Sequence, residues 1–144
     1  MAIADVMNLR VVAVGPEERV EVAIARMLEE NVGSVAVCEA LRLVGIFTER
    51  DVLRLAGQGT AFGELKVGDV MTRTPFTVSP DDDVLAAAEM MGDRRIRHLP
   101  VVQDGNLLGV IGIRDVMRTL VERLWRERDE HTRDTARELL RRAP

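Results

Sequence analysis

A gapless internal repeat constrains this chain more than any other feature of its sequence. The segment GIFTERDV at residues 45–52 returns as GVIGIRDV at 109–116, and DVM at 5–7 returns as DVM at 69–71. Both pairs have the same offset along the chain, so the two copies run in register. Self-similarity at a fixed offset indicates one structural unit that is used twice and whose copies bury each other's apolar faces.

Each copy predicts the same order of elements, β-α-β-β-α. A short strand, VVAV or FTV, leads through a proline turn into a helix over about 17–31 or 81–94. Apolar residues at helical spacing indicate these helices, and acidic residues in the first turn suit the helix dipole. Two apolar runs then form a hairpin, closed in the second copy by Asp-Gly, a strong turn signal. We therefore predict an α+β fold in which two repeats pack sheet against sheet with pseudo-twofold symmetry.

The repeat also predicts the domain organisation. Residues 1–60 form the first repeat and residues 61–121 the second, with a Gly-rich linker at 56–66 between them. One such unit is too small to bury enough apolar surface alone, so we expect residues 1–121 to be one module. Residues 122–144 extend the last helix as a charged tail. This tail is either a solvated helix or a helix that packs on a second subunit through Trp125 and Leu139–Leu140.

Composition excludes several classes of function. The formal charge of −4 and the scarcity of aromatic residues argue against binding of nucleic acid. No apolar run approaches the roughly 18–20 residues that cross a membrane, and the N-terminus lacks a secretion signature, so we expect a cytoplasmic protein. The two histidines, His98 and His131, are too isolated for a metal site. No catalytic constellation is visible, so we do not expect an enzyme.

The repeated strand-to-helix corner is the best candidate for a functional site. Thr48 and Asp51 have the spacing of a helix-capping box. Capping by the hydroxyl does not explain why Asp115 is kept where Gly112 replaces the threonine. A carboxylate at a helix start can also accept hydrogen bonds from ribose hydroxyls, and the free amides there suit a phosphate. Gly45, just before this corner, lets another group approach the strand closely.

The pattern DVM…P…PV…LxG with a Thr or Gly three residues before Asp resembles a tandem pair of CBS domains, also called a Bateman module. The resemblance implies an adenosyl ligand (AMP, ADP or ATP, and less readily S-adenosylmethionine or an NAD-type molecule) in a cleft between the repeats. It also implies no required cofactor, a homodimer, and a regulatory role that relays energy or metabolite state to an unidentified protein. The alternative is a ligand-free module for dimerisation or docking, which the loss of the hydroxyl at Gly112 supports.

The resemblance further implies two clefts, each built from both repeats. The first cleft would combine the corner of repeat 1 with residues of repeat 2, namely Thr48, Arg50, Asp51, Thr72, Phe76, Thr77, Ile96, Arg97, His98 and Pro100. The second would combine the corner of repeat 2 with residues of repeat 1, namely Gly112, Asp115, Asn8, Val12, Ala13, Val32, Gly33, Ser34 and Ala36. Because the hydroxyl and the cationic pair Arg97–His98 would meet in one cleft, we expect the Asp51 cleft to be the better nucleotide site. The Asp115 cleft is then expected to be weak or vacant.

Overall fold

A computed structural model describes residues 1–142 of the chain. A 3₁₀ turn at Ile3–Asp5 precedes six strands and five helices. The first repeat contains β1 Ala13–Val14, α1 Val20–Glu30, β2 Ser34–Glu39, β3 Arg42–Thr48 and α2 Glu49–Gly57. The second contains α3 Val67–Val70, β4 Thr72–Arg73, α4 Val84–Arg94, β5 His98–Gln103, β6 Asn106–Gly112 and α5 Ile113–Arg142. This is the predicted α+β fold with two like repeats and a long C-terminal helix.

The first helix of each repeat begins about one turn later than the sequence predicted. α1 begins at Val20 and α4 at Val84, because the proline and the acidic residues before them form turns instead. The acids expected in the first turn of each helix, Glu17–Glu18 and Asp81–Asp83, therefore precede the helix. Asp83 caps α4 by accepting a hydrogen bond from the Leu85 N–H at 2.8 Å.

The strand predicted at the start of each repeat is mostly irregular chain. Only Ala13–Val14 pair with β2, and FTV contributes a single parallel bridge from Val78 to Val101. The prolines that follow, Pro16 and Pro80, cannot donate to a strand ladder, so the pairing ends early.

The segment at the start of each repeat crosses over and packs against the other repeat. Ile3 is fully buried in the core of the second repeat, with Val84, Leu99 and Ile111. Val67, the equivalent of Ile3 in the second copy, is fully buried in the core of the first repeat. The exchange joins the two cores, a feature that the sequence did not predict, and the interdependence of the two halves stays a prediction.

Backbone hydrogen bonds show that the exchange is symmetric. The Ile3 N–H donates to the Asp82 carbonyl at 2.9 Å, and the Val67 N–H donates to the Glu18 carbonyl at 2.8 Å. Ile3 is the repeat equivalent of Val67, and Glu18 is the repeat equivalent of Asp82. The predicted pseudo-twofold relation therefore holds at the level of single hydrogen bonds.

The two repeats meet edge to edge rather than sheet against sheet. Their strands form the order β1-β2-β3-β6-β5, with Arg42 of β3 paired to Asn106 of β6, and β4 pairs with β3 outside this path. Two separate apolar cores lie in the two repeats. The sequence predicted that the two sheets pack face to face, whereas the structure joins their strands in one sheet through this pair.

The C-terminal part of α5 leaves the body of the protein. Residues 121–142 are exposed, and ion pairs such as Arg142 Nε to Glu138 Oε1 at 2.9 Å run along the helix. Residues 143–144, the end of the predicted tail, lie outside the described residues. Within residues 1–142, none of the helices combines the length and the apolar character that crossing a membrane requires.

Candidate functional site

Two aspartates lie at equivalent helix starts and are held in the same way. Asp51 Oδ2 accepts a hydrogen bond from the Thr48 N–H at 2.8 Å and from the Thr48 hydroxyl at 3.3 Å. Asp115 Oδ2 accepts one from the Gly112 N–H at 3.0 Å. The second oxygen of each carboxylate pairs with an arginine one turn later, Arg54 at 3.3 Å and Arg118 at 2.7 Å.

This geometry explains why Asp115 is kept beside Gly112. The main acceptor contact of the carboxylate is with a backbone N–H, which glycine supplies as well as threonine does. The sequence argument that capping could not account for Asp115 was therefore wrong. Capping alone accounts for both aspartates, and a binding role needs support from their surroundings.

The surroundings of Asp115 supply that support. A cavity of about 270 Å³ lies between the two repeats, and the Asp115 carboxylate forms part of its wall. The Asp115 side chain is 24% exposed to solvent, whereas the Asp51 side chain is only 10% exposed. A ligand in this cavity would thus find a carboxylate that is still accessible.

The residues predicted for the second cleft are largely brought together here. Those on the cavity wall are Asn8, Val12, Val32, Gly33, Ser34, Gly112 and Asp115. Ala13 and Ala36, which pair with each other across β1 and β2, are not on the wall.

Arg97 and His98 also line this cavity, although the sequence analysis grouped them with Asp51. They lie at the start of β5, and His98 pairs with Gly112 across the hairpin, which brings both residues beside Asp115. Asp51 is not part of the wall that they form. The structure thus places Arg97 and His98 on the cavity wall beside Asp115, whereas Thr48 is not part of that wall.

Of the residues expected around Asp51, only Arg97 and His98 line the cavity described above. β4 places Thr72 opposite Ile46 of β3, and Arg54, which pairs with Asp51, donates to the Val70 carbonyl at 3.4 Å. Phe76 is exposed with the Arg94 guanidinium 4.6 Å from its ring centre. Of the other residues predicted for this cleft, Arg50 and Thr77 are exposed, Ile96 is half-buried and Pro100 is buried. A nucleotide site at Asp51 stays a prediction.

His98 is a titratable side chain of this cavity whose pKa departs from its ordinary value. Burial lowers its pKa, and the nearby Arg97 and Arg114 guanidinium groups lower it further. The Glu49 and Asp115 carboxylates act in the opposite direction but do not outweigh the burial. At neutral pH the imidazole is therefore mostly uncharged and can both donate and accept a hydrogen bond.

Sequence reasoning missed part of the cavity wall. The missed members are Arg10, Val11, Asn31, Glu49, Val110, Ile113 and Arg114. Arg114 and Ile113 are neighbours of Asp115 in the repeated corner, and this signal could have found them. Glu49 lies in the repeated corner of the first repeat, so no pattern in the sequence connected it with Asp115.

The comparison with known protein families settles what kind of module this cavity belongs to. The profile of the CBS domain matches residues 3–57 and 67–122, one match for each repeat. The chain belongs to the CBS-domain family. Its two matches are the two halves of a CBS-domain pair, with the cavity of Asp115 at their junction.

Individual relatives agree with this assignment. The CBS domain-containing protein CBSX3, mitochondrial, of Arabidopsis thaliana is 43% identical over 105 residues, which are 69% of this chain and 51% of that protein. The chain thus spans about half the length of that relative. Its fold is similar to that of the CBS domain protein PAE2072 from Pyrobaculum aerophilum complexed with AMP, with a TM-score of 0.74, 27% identity, and coverage of 80% of this chain and 89% of the other. CBSX2 in complex with AMP gives a TM-score of 0.75, 28% identity, and coverage of 84% and 96%.

Proposed function

We propose that this CBS-domain pair is a regulatory module that binds an adenine nucleotide in the Asp115 cavity. The observation that carries the proposal is the convergence of an accessible carboxylate, apolar strand residues and cationic side chains on one cavity between the repeats. Two structures of similar fold contain AMP, which supports an adenosyl ligand in this kind of module.

Each part of the ligand has a suitable partner on the wall. Asp115 can accept hydrogen bonds from ribose hydroxyls, since its carboxylate has lone pairs beyond those used by Gly112 and Arg118. Val12 and Val32, from the first repeat, offer an apolar surface for the adenine ring. Arg97 and His98 lie at the start of β5, where they can contact a phosphate.

The charge of the cavity favours an anionic ligand. Arg10, Arg97 and Arg114 contribute three permanent positive charges to the wall, against the two carboxylates of Glu49 and Asp115. This balance favours AMP, ADP or ATP over S-adenosylmethionine, whose sulfonium is positive. An NAD-type molecule would also have to place a second nucleoside outside the cavity, which is near the lower size limit for small-molecule sites.

The role that fits such a site is regulation without catalysis. A ligand that contacts both repeats can change how they sit against each other, and a partner protein can read that change. We further propose that the module is a homodimer, because large apolar side chains are exposed on helices of both repeats. Leu53 on α2 and Met117 on α5 occupy equivalent positions in the two copies and are 74% and 57% exposed.

Titration calorimetry with AMP tests the site assignment. Asp115→Asn should weaken AMP binding about tenfold or more, because hydrogen bonds to a charged acceptor contribute about 1.5–3 kcal/mol. Asp51→Asn is the matched change at the equivalent helix start and should leave the affinity within about twofold. The opposite pattern would assign the nucleotide to the Asp51 cleft.

A thermal-shift series with AMP, ADP and ATP tests the alternative of a ligand-free module for dimerisation or docking. A ligand that binds only the folded state raises the melting temperature. The alternative is supported by the fact that both aspartates already have capping partners. No shift with any of the three nucleotides at millimolar concentration would favour it.

A further inference from the structure

We propose that His98 takes up a proton when the anionic end of the nucleotide enters the Asp115 cavity, so that mild acidification strengthens binding. The inference rests on the proposed function and adds a form of regulation to that site. The proton comes from the surrounding water or buffer, and it converts a neutral imidazole into an imidazolium that pairs with the ligand.

The first step of the argument is where the ring lies. A β-carbon built on Gly33 of the first repeat would lie 3.0 Å from His98 Cε1 and 3.1 Å from Glu49 Oε1. A β-carbon built on Gly112 would lie 3.8 Å from His98 Cδ2 and 3.4 Å from Asp115 Oδ2. The imidazole therefore lies at the junction of the repeats, between a carboxylate of α2 and a carboxylate of α5.

The second step is the balance of charge around the ring without ligand. The charged groups that face it are Glu49 from α2, Asp115 and Arg114 from α5, and Arg97 next to it in the chain. The two acids and the two arginines act in opposite directions, and burial, the largest influence, holds the pKa of His98 below its ordinary value. The free protein thus presents a neutral His98 at neutral pH.

The third step is what a phosphate does to this balance. A dianionic group close to the imidazole stabilises its charged form and raises its pKa. Glu49, already beside the ring, would favour the same protonated state. Gly33 and Gly112 line the same cavity as His98 and add no side chain to it.

The direction of the pH dependence follows from these shifts. His98 is protonated more readily in the complex than in the free protein. At a pH between its pKa in the free protein and its higher pKa in the complex, binding of the nucleotide therefore takes up a proton. Affinity then falls as the pH rises, by at most about tenfold per pH unit in that interval. The phosphate of AMP acts in the opposite sense, since its second pKa near 6 means that binding to cations releases protons.

The experiment is calorimetric titration of AMP in two buffers of different ionisation enthalpy at about pH 7 to 7.5. We expect the wild-type protein to take up a fraction of a proton, up to one, for each AMP bound. His98→Gln keeps a hydrogen-bond donor but cannot titrate, so this variant should bind AMP without the uptake. His131→Gln removes the other histidine of the chain, which is exposed in the tail, and should behave as the wild type.

The outcomes separate this inference from the function on which it rests. AMP binding without proton uptake in the wild type, or uptake that persists in His98→Gln, would overturn the role of His98 alone. No binding of AMP to the wild type would overturn the proposed function, and the inference with it. Adenosine, which lacks the phosphate, serves as the ligand control and should bind without the uptake.

Discussion

Gly45 and Gly109 lack side chains because the other repeat crosses the strand at these positions. A β-carbon on Gly45 would lie 2.9 Å from the Thr72 carbonyl oxygen, and one on Gly109 would lie 2.8 Å from the Asn8 carbonyl oxygen. The sequence indicated a close approach at these glycines. The structure identifies the approaching group as the cross-over segment of the opposite repeat.

Replacing Gly45 with alanine should therefore destabilise the protein. The added methyl group meets backbone, which cannot move aside cheaply, and we expect the free energy of unfolding to fall by about 1–3 kcal/mol. Gly92→Ala is the matched control, because it lies within α4 with nothing within 4 Å of the added carbon. That change should raise the free energy of unfolding by up to about 1 kcal/mol.

Denaturant unfolding of both variants, followed by circular dichroism, measures the two effects. Equal stabilities for Gly45→Ala and Gly92→Ala would mean that the crossing does not constrain Gly45.

At the scale of the element, the sequence predicted the type of each regular segment better than its limits. The strands of both hairpins lie close to where apolar runs and the Asp-Gly turn place them, and Asp104 and Gly105 have the positive φ angles that this turn requires. The starts of α1 and α4 were placed too early, since an acidic residue suits a turn before a helix as well as its first turn. Local patterns do not distinguish these two positions.

The 3₁₀ turn at Ile3–Asp5 is an element whose importance only its packing reveals. Because the Ile3 side chain is fully buried in the second repeat, Ile3→Ala should lower the free energy of unfolding by about 2–5 kcal/mol. Leu9→Ala, at a side chain that is 72% exposed, should change it by less than about 0.5 kcal/mol.

Hydrogen exchange of Ile3→Ala measures which strands lose stability. We expect amides of β5 and β6 in Ile3→Ala to lose protection at least as much as those of β2 and β3, although Ile3 belongs to the first repeat in the chain. Loss confined to β2 and β3 would contradict the exchange of segments.

At the scale of the whole molecule, we expect two cores joined by exchanged segments to unfold as one unit, and the proposed homodimer would use the exposed helices. Sedimentation should give twice the 16.0 kDa mass of the chain. Leu53→Arg should shift the protein towards the monomer, because it places a charge on the proposed interface. Leu41→Arg is the control, since Leu41 is similarly exposed but lies in the turn between β2 and β3.

A wild-type protein that sediments with the mass of a single chain at all concentrations tested would refute the homodimer. If Leu41→Arg dissociates the dimer and Leu53→Arg does not, the interface lies at the hairpin of β2 and β3 instead.

The sequence by itself determined the repeat, the order of elements and the capping aspartates, because each depends on contacts between residues that are close in the chain or on the constant offset between the copies. The resemblance to CBS-domain pairs also implied part of the wall around Asp115, from Asn8 and Val12 at one side to Gly112 at the other. Only the tertiary structure decided that Arg97, His98 and Glu49 share the cavity of Asp115 rather than that of Asp51. These side chains lie where two repeats meet, and the direction in which each one points there depends on long-range packing that no local pattern records.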